Sequence, residues 1–362
     1  MSDLKFIFVH GLSGWGSYEK AYNVMPYWGL RGGDLITFLR SRGFQAYAAS
    51  VSPSGSAWDR ACELYAQLAG LRTDYGAAHS SACHHERFGR DFTSSPLIPD
   101  WGDDSRLVLL GHSFGGTTVR LFSELLAHGD PEEQRSTPGA ALSGLFKGGM
   151  EKRIRCIVTL ASPINGTSAY DLFEDAGFDP DKVKVPFWSR GFAKMMSAGT
   201  KPKKDGRIGT DYADHDMHID NALKLNSRIS TLGSVYYFSV PCCSTKMTKD
   251  GTHVPDLSRT DPLFVMRSCQ IGKYSGITKG GFVIDEKWQP NDGLVNTFSA
   301  MAPLGAPQTP LDKNNIRPGI WNVFPAFEGD HMSLQGGLLK KNNIRDFYPD
   351  LLSLIEKSVG DQ

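Results

Sequence analysis

The segment "RLVLLGHSFGGTTVRLFSELLAHG" (106–129) constrains this chain more than any other stretch. Its first part is an uninterrupted apolar run, the pattern of a strand buried on both faces of a sheet. Its last part carries apolar residues at helical spacing and closes at Gly129. Between them, Gly111-His112-Ser113-Phe114-Gly115 matches G-x-S-x-G. A strand that turns straight into a helix at such a motif holds its serine in strained backbone geometry. The turn needs small neighbours and lifts the hydroxyl clear of the sheet. The five-residue pattern alone is weakly specific; between strand and helix it is a specific signal for a nucleophile. His112 is expected to point away from Ser113 and to serve a structural role.

The rest of the chain repeats the alternation. Strands are expected at 5–10 ("KFIFVH"), 44–51, 153–162, 234–240 and 320–327, and a helix at 56–71 ("SAWDRACELYAQLAGL"). Strands alternating with helices predict an α/β protein with a mostly parallel central sheet and helices on both faces. Two stretches, 52–104 and 165–230, break the pattern and are rich in Gly, Pro, Ser and charge. They are expected to be insertions on a single domain spanning 1–362.

Composition excludes several classes. The chain has 39 Lys and Arg against 39 Asp and Glu, so no charge excess points to nucleic acid. No apolar run approaches the roughly 20 residues of a membrane span. The start "MSDLKFIFVHGLSGWG" reads as a strand already inside the fold, without the pattern of a signal peptide. The chain is therefore expected to be cytosolic or to be shown after signal removal. Six cysteines are too few and too scattered for a disulfide scaffold, and any single bridge among them stays unpaired on sequence alone.

A serine hydroxyl needs a base and an orienting acid to act as a nucleophile. In proteins with this motif they follow in the order Ser, Asp or Glu, His. Asp292 in "WQPNDGLVN" and His331 in "FEGDHMSLQGG" occupy late loops and fit that order. Asn-Asp-Gly is also good turn chemistry. His253 and Asp330 are weaker candidates. The oxyanion of an acyl-transfer intermediate needs N–H donors. "HGLSGWG" (10–16) offers the main chain of Leu12, and Phe114 follows the nucleophile.

One stretch stands apart. "DYGAAHSSACHHERFGR" (74–90) holds His79, His84 and His85, three of only ten histidines, in a polar run without obvious helical character. A metal site, a catalytic site and a histidine-rich surface loop all remain open on these residues alone.

Taken together, "HGLSGWG", "YWGLRGGD", "WDRACELYAQLAG", "DYGAAHSSACHHERFGR", "GHSFGG", "ASPINGTS", "NDGLVNT" and "DHMSLQGG" resemble the bacterial lipase family of the zinc-containing lipases of thermophilic bacilli and the staphylococcal lipases. The resemblance runs over nearly the whole length. It implies an α/β-hydrolase fold and hydrolysis of lipid esters such as triacylglycerols, with nucleophile, acid and base at Ser113, Asp292 and His331; a short lid is expected as a departure from the family. It implies secretion, and a structural Zn²⁺ held by Asp59, His79, His85 and Asp211, with His84 a bystander. Two imidazoles and two carboxylates suit tetrahedral zinc. His215 and His218 are rival ligands. Larger relatives carry a calcium site just after the catalytic histidine. Here Ser333 and Leu338 stand at those positions, neither brings a carboxylate, and no Ca²⁺ site is expected. The insert after 168 looks short, and its apolar cluster 185–196, with Phe187, Trp188 and Phe192, suggests a small lid or a docking patch for bulky or polymeric esters. Alternative readings are a polyester hydrolase or short-chain esterase with the same triad, and a hydrolase whose zinc itself activates water.

Overall fold

In the computed structural model the described residues are 3–175 and 207–360. The centre is a seven-stranded sheet. β1 (Leu4–Val9) lies between β2 (Gln45–Ala49) and β5 (Arg106–His112). β5 is followed outward by β6 (Ile154–Leu160), β7 (Tyr236–Val240), Trp321–Val323 and, at the edge, Gln308–Pro310. A small antiparallel hairpin, β3 (Arg72–Asp74) with β4 (Phe88–Asp91), stands outside the sheet. Every pairing in the central sheet is parallel. Parallel neighbours require crossovers, and those crossovers cover both faces.

The strand sequences show why both faces are apolar. Ile7 and Val9 of β1, with Leu107 and Leu109 of β5, face α2 (Ala57–Ala69) and α4 (Phe114–His128). Phe6, Phe8, Val108 and Leu110 face the opposite way, onto α1 (Leu35–Ser41) and the closing helix Phe347–Gly360. Successive residues of a strand point to opposite faces, so a strand covered twice is apolar on both; Lys5, near the start of β1, is the exception and reaches Asp100 at 3.1 Å.

α1, the edge strand Gln308–Pro310 and the closing helix are among the elements not expected from the sequence. α1 spans seven residues and owes its start to Asp34, whose carboxylate accepts the N–H groups of Ile36 and Thr37. The histidine-rich stretch also departs from expectation, because Ala77–Cys83 is a helix, α3. Its N-terminus is capped from a distance. Glu133 accepts the Ala78 N–H at 3.1 Å and the His79 N–H at 2.7 Å. α3 ends at His84 in left-handed geometry, φ 58°.

The two irregular stretches meet each other. Gly55 and Tyr212 form an antiparallel bridge, the Ala213 N–H reaches the Ser54 carbonyl at 3.1 Å, and Asp216 accepts the Ala57 N–H at 2.8 Å. The apolar cluster 185–196, with Phe187, Trp188 and Phe192, lies outside the described residues. All six cysteines are free. Among the described residues no helix is long and apolar enough to cross a membrane.

Candidate active site and metal centre

The loops beyond the carboxyl ends of β1, β5 and Trp321–Val323 converge, as ligand-binding loops do in open α/β sheets. Ser113 sits between β5 and α4 with φ 54° and ψ −131°, a conformation that side-chain-bearing residues rarely adopt. Crowding explains the flanking glycines. A Cβ on Gly111 would lie 2.3 Å from the main chain of Gly115, and one on Gly115 would lie 2.2 Å from the Val9 carbonyl oxygen. Gly11 stands directly against the serine: a Cβ there would lie 2.7 Å from Ser113 Cβ.

Asp292 and His331, 39 residues apart in sequence, are joined twice. His331 Nδ1 bonds to Asp292 Oδ2 at 2.8 Å, and the His331 N–H donates to the Asp292 carbonyl at 2.8 Å. The other carboxylate oxygen, Oδ1, accepts the N–H groups of Leu294 at 3.0 Å and Val295 at 2.7 Å. The Asn-Asp-Gly turn thus aims the carboxylate rather than merely reversing the chain. Both side chains are buried. Among the described residues no hydrogen bond joins Ser113 to His331.

His112 does point away from the serine, and its surroundings define its form. Its Nε2 lies 2.9 Å from the His331 carbonyl oxygen, so Nε2 carries the proton and donates. Nδ1 then accepts from Tyr27 Oη at 2.6 Å, and that oxygen accepts the Gly11 N–H at 3.1 Å. Burial, reinforced by the facing His331, holds His112 well below the usual histidine range, so it stays neutral. Tyr27, to which no sequence motif assigns a role, therefore links the 10–16 loop to the His331 backbone. The Leu12 and Phe114 N–H groups have no hydrogen-bond partner among the described residues.

The weaker sequence candidates are occupied elsewhere. His253 lies in a two-stranded hairpin beside Thr245. Asp330 accepts the N–H groups of Asp261 and Met332 and the hydroxyl of Ser333.

Asp59, His79, His85 and Asp211 form one cluster, their ligand atoms all within 4.8 Å of one another. His79 Nε2 lies 3.2 Å from Asp59 and 3.3 Å from Asp211. His85 Nε2 lies 3.7 Å from Asp59 and 3.4 Å from Asp211. His85 Nδ1 bonds to the Glu86 carbonyl at 2.8 Å, which leaves Nε2 free to offer a lone pair. That atom is buried and has no hydrogen-bond partner among the described residues. Two buried carboxylates draw positive charge. Arg207 donates to Asp59 and lies 3.4 Å from Asp211. Burial works against a charged His79, but bonds to Asp211 and Asp59 outweigh it and push its pKa up to about 11. The cluster can hold a metal ion. His84 is outside it; His215 pairs with Asp216, and His218 packs on Tyr170. Arg207 was missed in sequence, and its position four residues before Asp211 is the one local signal.

A parallel sheet covered on both faces, with a serine raised on a strained strand-to-helix turn, defines a protein of the α/β-hydrolase fold. Comparison with known proteins narrows the class. A family model described as "Lipase-like, C-terminal domain" matches residues 3–180. The lipase of Staphylococcus hyicus is 32% identical over 98% of this chain and 58% of its own, and Lipase 2 of Staphylococcus aureus is 32% identical over 91% of this chain and 50% of its own. The chain thus spans about half the length of the curated relatives it matches. Among solved structures, the Staphylococcus hyicus lipase superposes with a TM-score of 0.80 at 31% identity, covering 99% of this chain and 97% of that one. EstA from Clostridium botulinum gives 0.83 at 30% identity, covering 98% and 87%. This chain belongs to the family of the staphylococcal lipases.

Proposed function

We propose that this chain is a lipase that cleaves carboxylic esters of lipids, triacylglycerols among them, through Ser113, His331 and Asp292. The observation that carries this reading is the doubly anchored Asp292–His331 pair beside the strained Ser113 turn. His331 Nδ1 donates to Asp292, so Nε2 is the base. Ser113 Oγ attacks the ester carbonyl as His331 Nε2 takes its proton; the collapsing intermediate receives that proton on the leaving alcohol. Water, activated by the same nitrogen, hydrolyses the acyl-enzyme. Asp292 holds the imidazole in the productive tautomer and stabilises the imidazolium. The Leu12 and Phe114 N–H groups face the developing oxyanion, each worth roughly 3–4 kcal/mol in such sites. The names of the relatives, lipases, support the substrate class.

We further propose that Asp59, His79, His85 and Asp211 hold Zn²⁺ in a structural role. Ligand atoms about 2.0–2.1 Å from a tetrahedral centre stand about 3.3–3.4 Å apart. The His-to-Asp separations here, 3.2 to 3.7 Å, fit that arrangement. Four protein donors close a tetrahedral ion, whereas a catalytic zinc keeps a position for water. Bound there, zinc would supply charge neutralisation and a clip between α2, α3 and the loop before residues 213–217.

The test is a panel of p-nitrophenyl esters of increasing acyl length beside emulsified triacylglycerol. Turnover of long-chain esters and triacylglycerol is expected. Failure to turn over any ester would refute the reading.

A further inference from the structure

Behind the 10–16 loop lies a charge that the mechanism leaves unused. Arg60, next to Asp59 on α2, is wholly buried. A buried cation is costly unless its surroundings compensate it. Here they are main-chain oxygens and a hydroxyl. Nε donates to Thr118 Oγ1 at 2.8 Å, Nη1 to the carbonyls of Ser52 at 2.9 Å and Gly11 at 3.4 Å, and Nη2 to the His10 carbonyl. Its carbon lies 5.1 Å from the centre of the Phe114 ring.

These contacts fall on the main chain that presents the two free N–H groups. The Gly11 carbonyl and the Leu12 N–H belong to one peptide plane. A peptide is rigid, with its oxygen and hydrogen on opposite sides. The Gly11 oxygen takes His10 Nδ1 at 2.9 Å, the Gly14 N–H at 3.2 Å and the guanidinium at 3.4 Å, so Arg60 shares in fixing the direction of the Leu12 N–H on the far side and alone adds a full charge that polarises that group into a better donor. The bond to the preceding His10 carbonyl fixes the next plane back. Phe114 carries the other N–H, and its ring packs under the same guanidinium. Thr118 extends the hold, because its hydroxyl, which receives Arg60 Nε, donates to the Phe114 carbonyl at 3.1 Å.

We propose that Arg60 is a positioning residue for the oxyanion pocket, setting the Leu12 peptide plane and the Phe114 turn at once. The proposal rests on the serine-hydrolase reading above. Arginine is required because one planar fork reaches four acceptors; a lysine ammonium keeps the charge but not the geometry. A misplacement of about 1 Å remote from the reacting atoms costs on the order of a hundredfold in rate.

The experiment compares wild type, Arg60→Lys and Thr118→Val. Active sites are titrated with a fluorophosphonate, kcat is expressed per titrated site, and inhibition by a trifluoromethyl ketone, which forms a tetrahedral oxyanion on the serine, is measured alongside KM. For Arg60→Lys, kcat per site is expected to fall roughly ten- to hundredfold, with the ketone's inhibition constant rising in step and KM within about threefold. Thr118→Val, a milder change that guards against misfolding of the first variant, is expected to show the same signature at about three- to tenfold. Lower melting temperatures with unchanged kcat per site and unchanged ketone affinity would overturn the proposal. Failure of the wild type to be titrated at Ser113 would instead overturn the reading on which it rests.

Discussion

Asp292→Asn tests the role of the acid with almost no change of shape. In the wild type Oδ1 takes two main-chain N–H groups, from Leu294 and Val295, and Oδ2 takes His331 Nδ1. An asparagine has one oxygen and one NH₂. If its oxygen stays with the two N–H donors, its NH₂ faces His331 Nδ1, which must then accept. That moves the ring proton to Nε2 and removes the lone pair that would take the Ser113 proton. The opposite flip would set the NH₂ against two N–H groups, leaving two buried donors unpaired at about 1–3 kcal/mol each. The first arrangement wins, and the base is lost. The equivalent tautomer error in serine proteases lowers kcat about 10⁴-fold, or about 5.5 kcal/mol of barrier. The assay is kcat on a soluble p-nitrophenyl ester at neutral pH, with circular dichroism to confirm an unchanged fold. A kcat within tenfold of wild type would refute the assignment of Asp292.

The remaining expectations concern metal, acid and the Tyr27 link. His85→Ala is expected to abolish stoichiometric zinc by elemental analysis while His84→Ala keeps it; chelation of wild type should remove up to about 4 kcal/mol of stability where free zinc exceeds its dissociation constant a thousandfold. Zinc kept in both variants would exclude the cluster as the site. Burial, aided by Arg60, lowers the pKa of His10 to about 3, and burial holds His112 well below its ordinary value. Both pKa values are depressed from about 6.5, so the unfolded chain binds more protons: the stabilisation is complete above pH 6.5 and lost as pH falls. Each of the two should contribute a loss of about 1.4 kcal/mol per pH unit below that point, against the opposite drift from Glu63, pushed up to about 7, and from His79; in chelator-treated protein the urea midpoint of His10→Asn should therefore fall less between pH 7 and 5.5 than that of wild type, and an equal fall would contradict it. Tyr27→Phe leaves the Gly11 N–H and His112 Nδ1 unpaired, and should cost about 1–3 kcal/mol per group and lower kcat; an unchanged melting temperature would show that water replaces the hydroxyl.

The β5–α4 unit was legible because its two periodicities meet at a five-residue motif that only a tight turn can satisfy. The parallel sheet followed from continuous apolar strands such as residues 107–110, which two covered faces require. α3 was not legible: its N-terminal N–H groups are capped by Glu133, a contact 54 residues away that no local pattern carries. The closing helix does carry an apolar face, with Tyr348, Leu351, Leu352 and Ile355 buried, and that periodicity was open to a sequence reading. Asp292 and His331 could be chosen by chain order, yet the division of labour between the two Asp292 oxygens is a property of the folded turn. The metal cluster came from resemblance; the residues alone left the histidine-rich stretch undecided. Arg60 looks in sequence like one more polar residue of a helix, and its contacts arise from chain segments 8 to 58 residues away.

Everything proposed for the chemistry turns on Ser113 as the nucleophile. The direct measurement is intact-mass and peptide mapping after reaction with a fluorophosphonate, together with ester turnover by Ser113→Ala. One adduct per chain is expected, located on Ser113, with loss of activity in proportion to labelling, and turnover reduced by about a million-fold in the variant. An adduct elsewhere, or ester hydrolysis that survives Ser113→Ala and disappears on chelation of the metal, would contradict it.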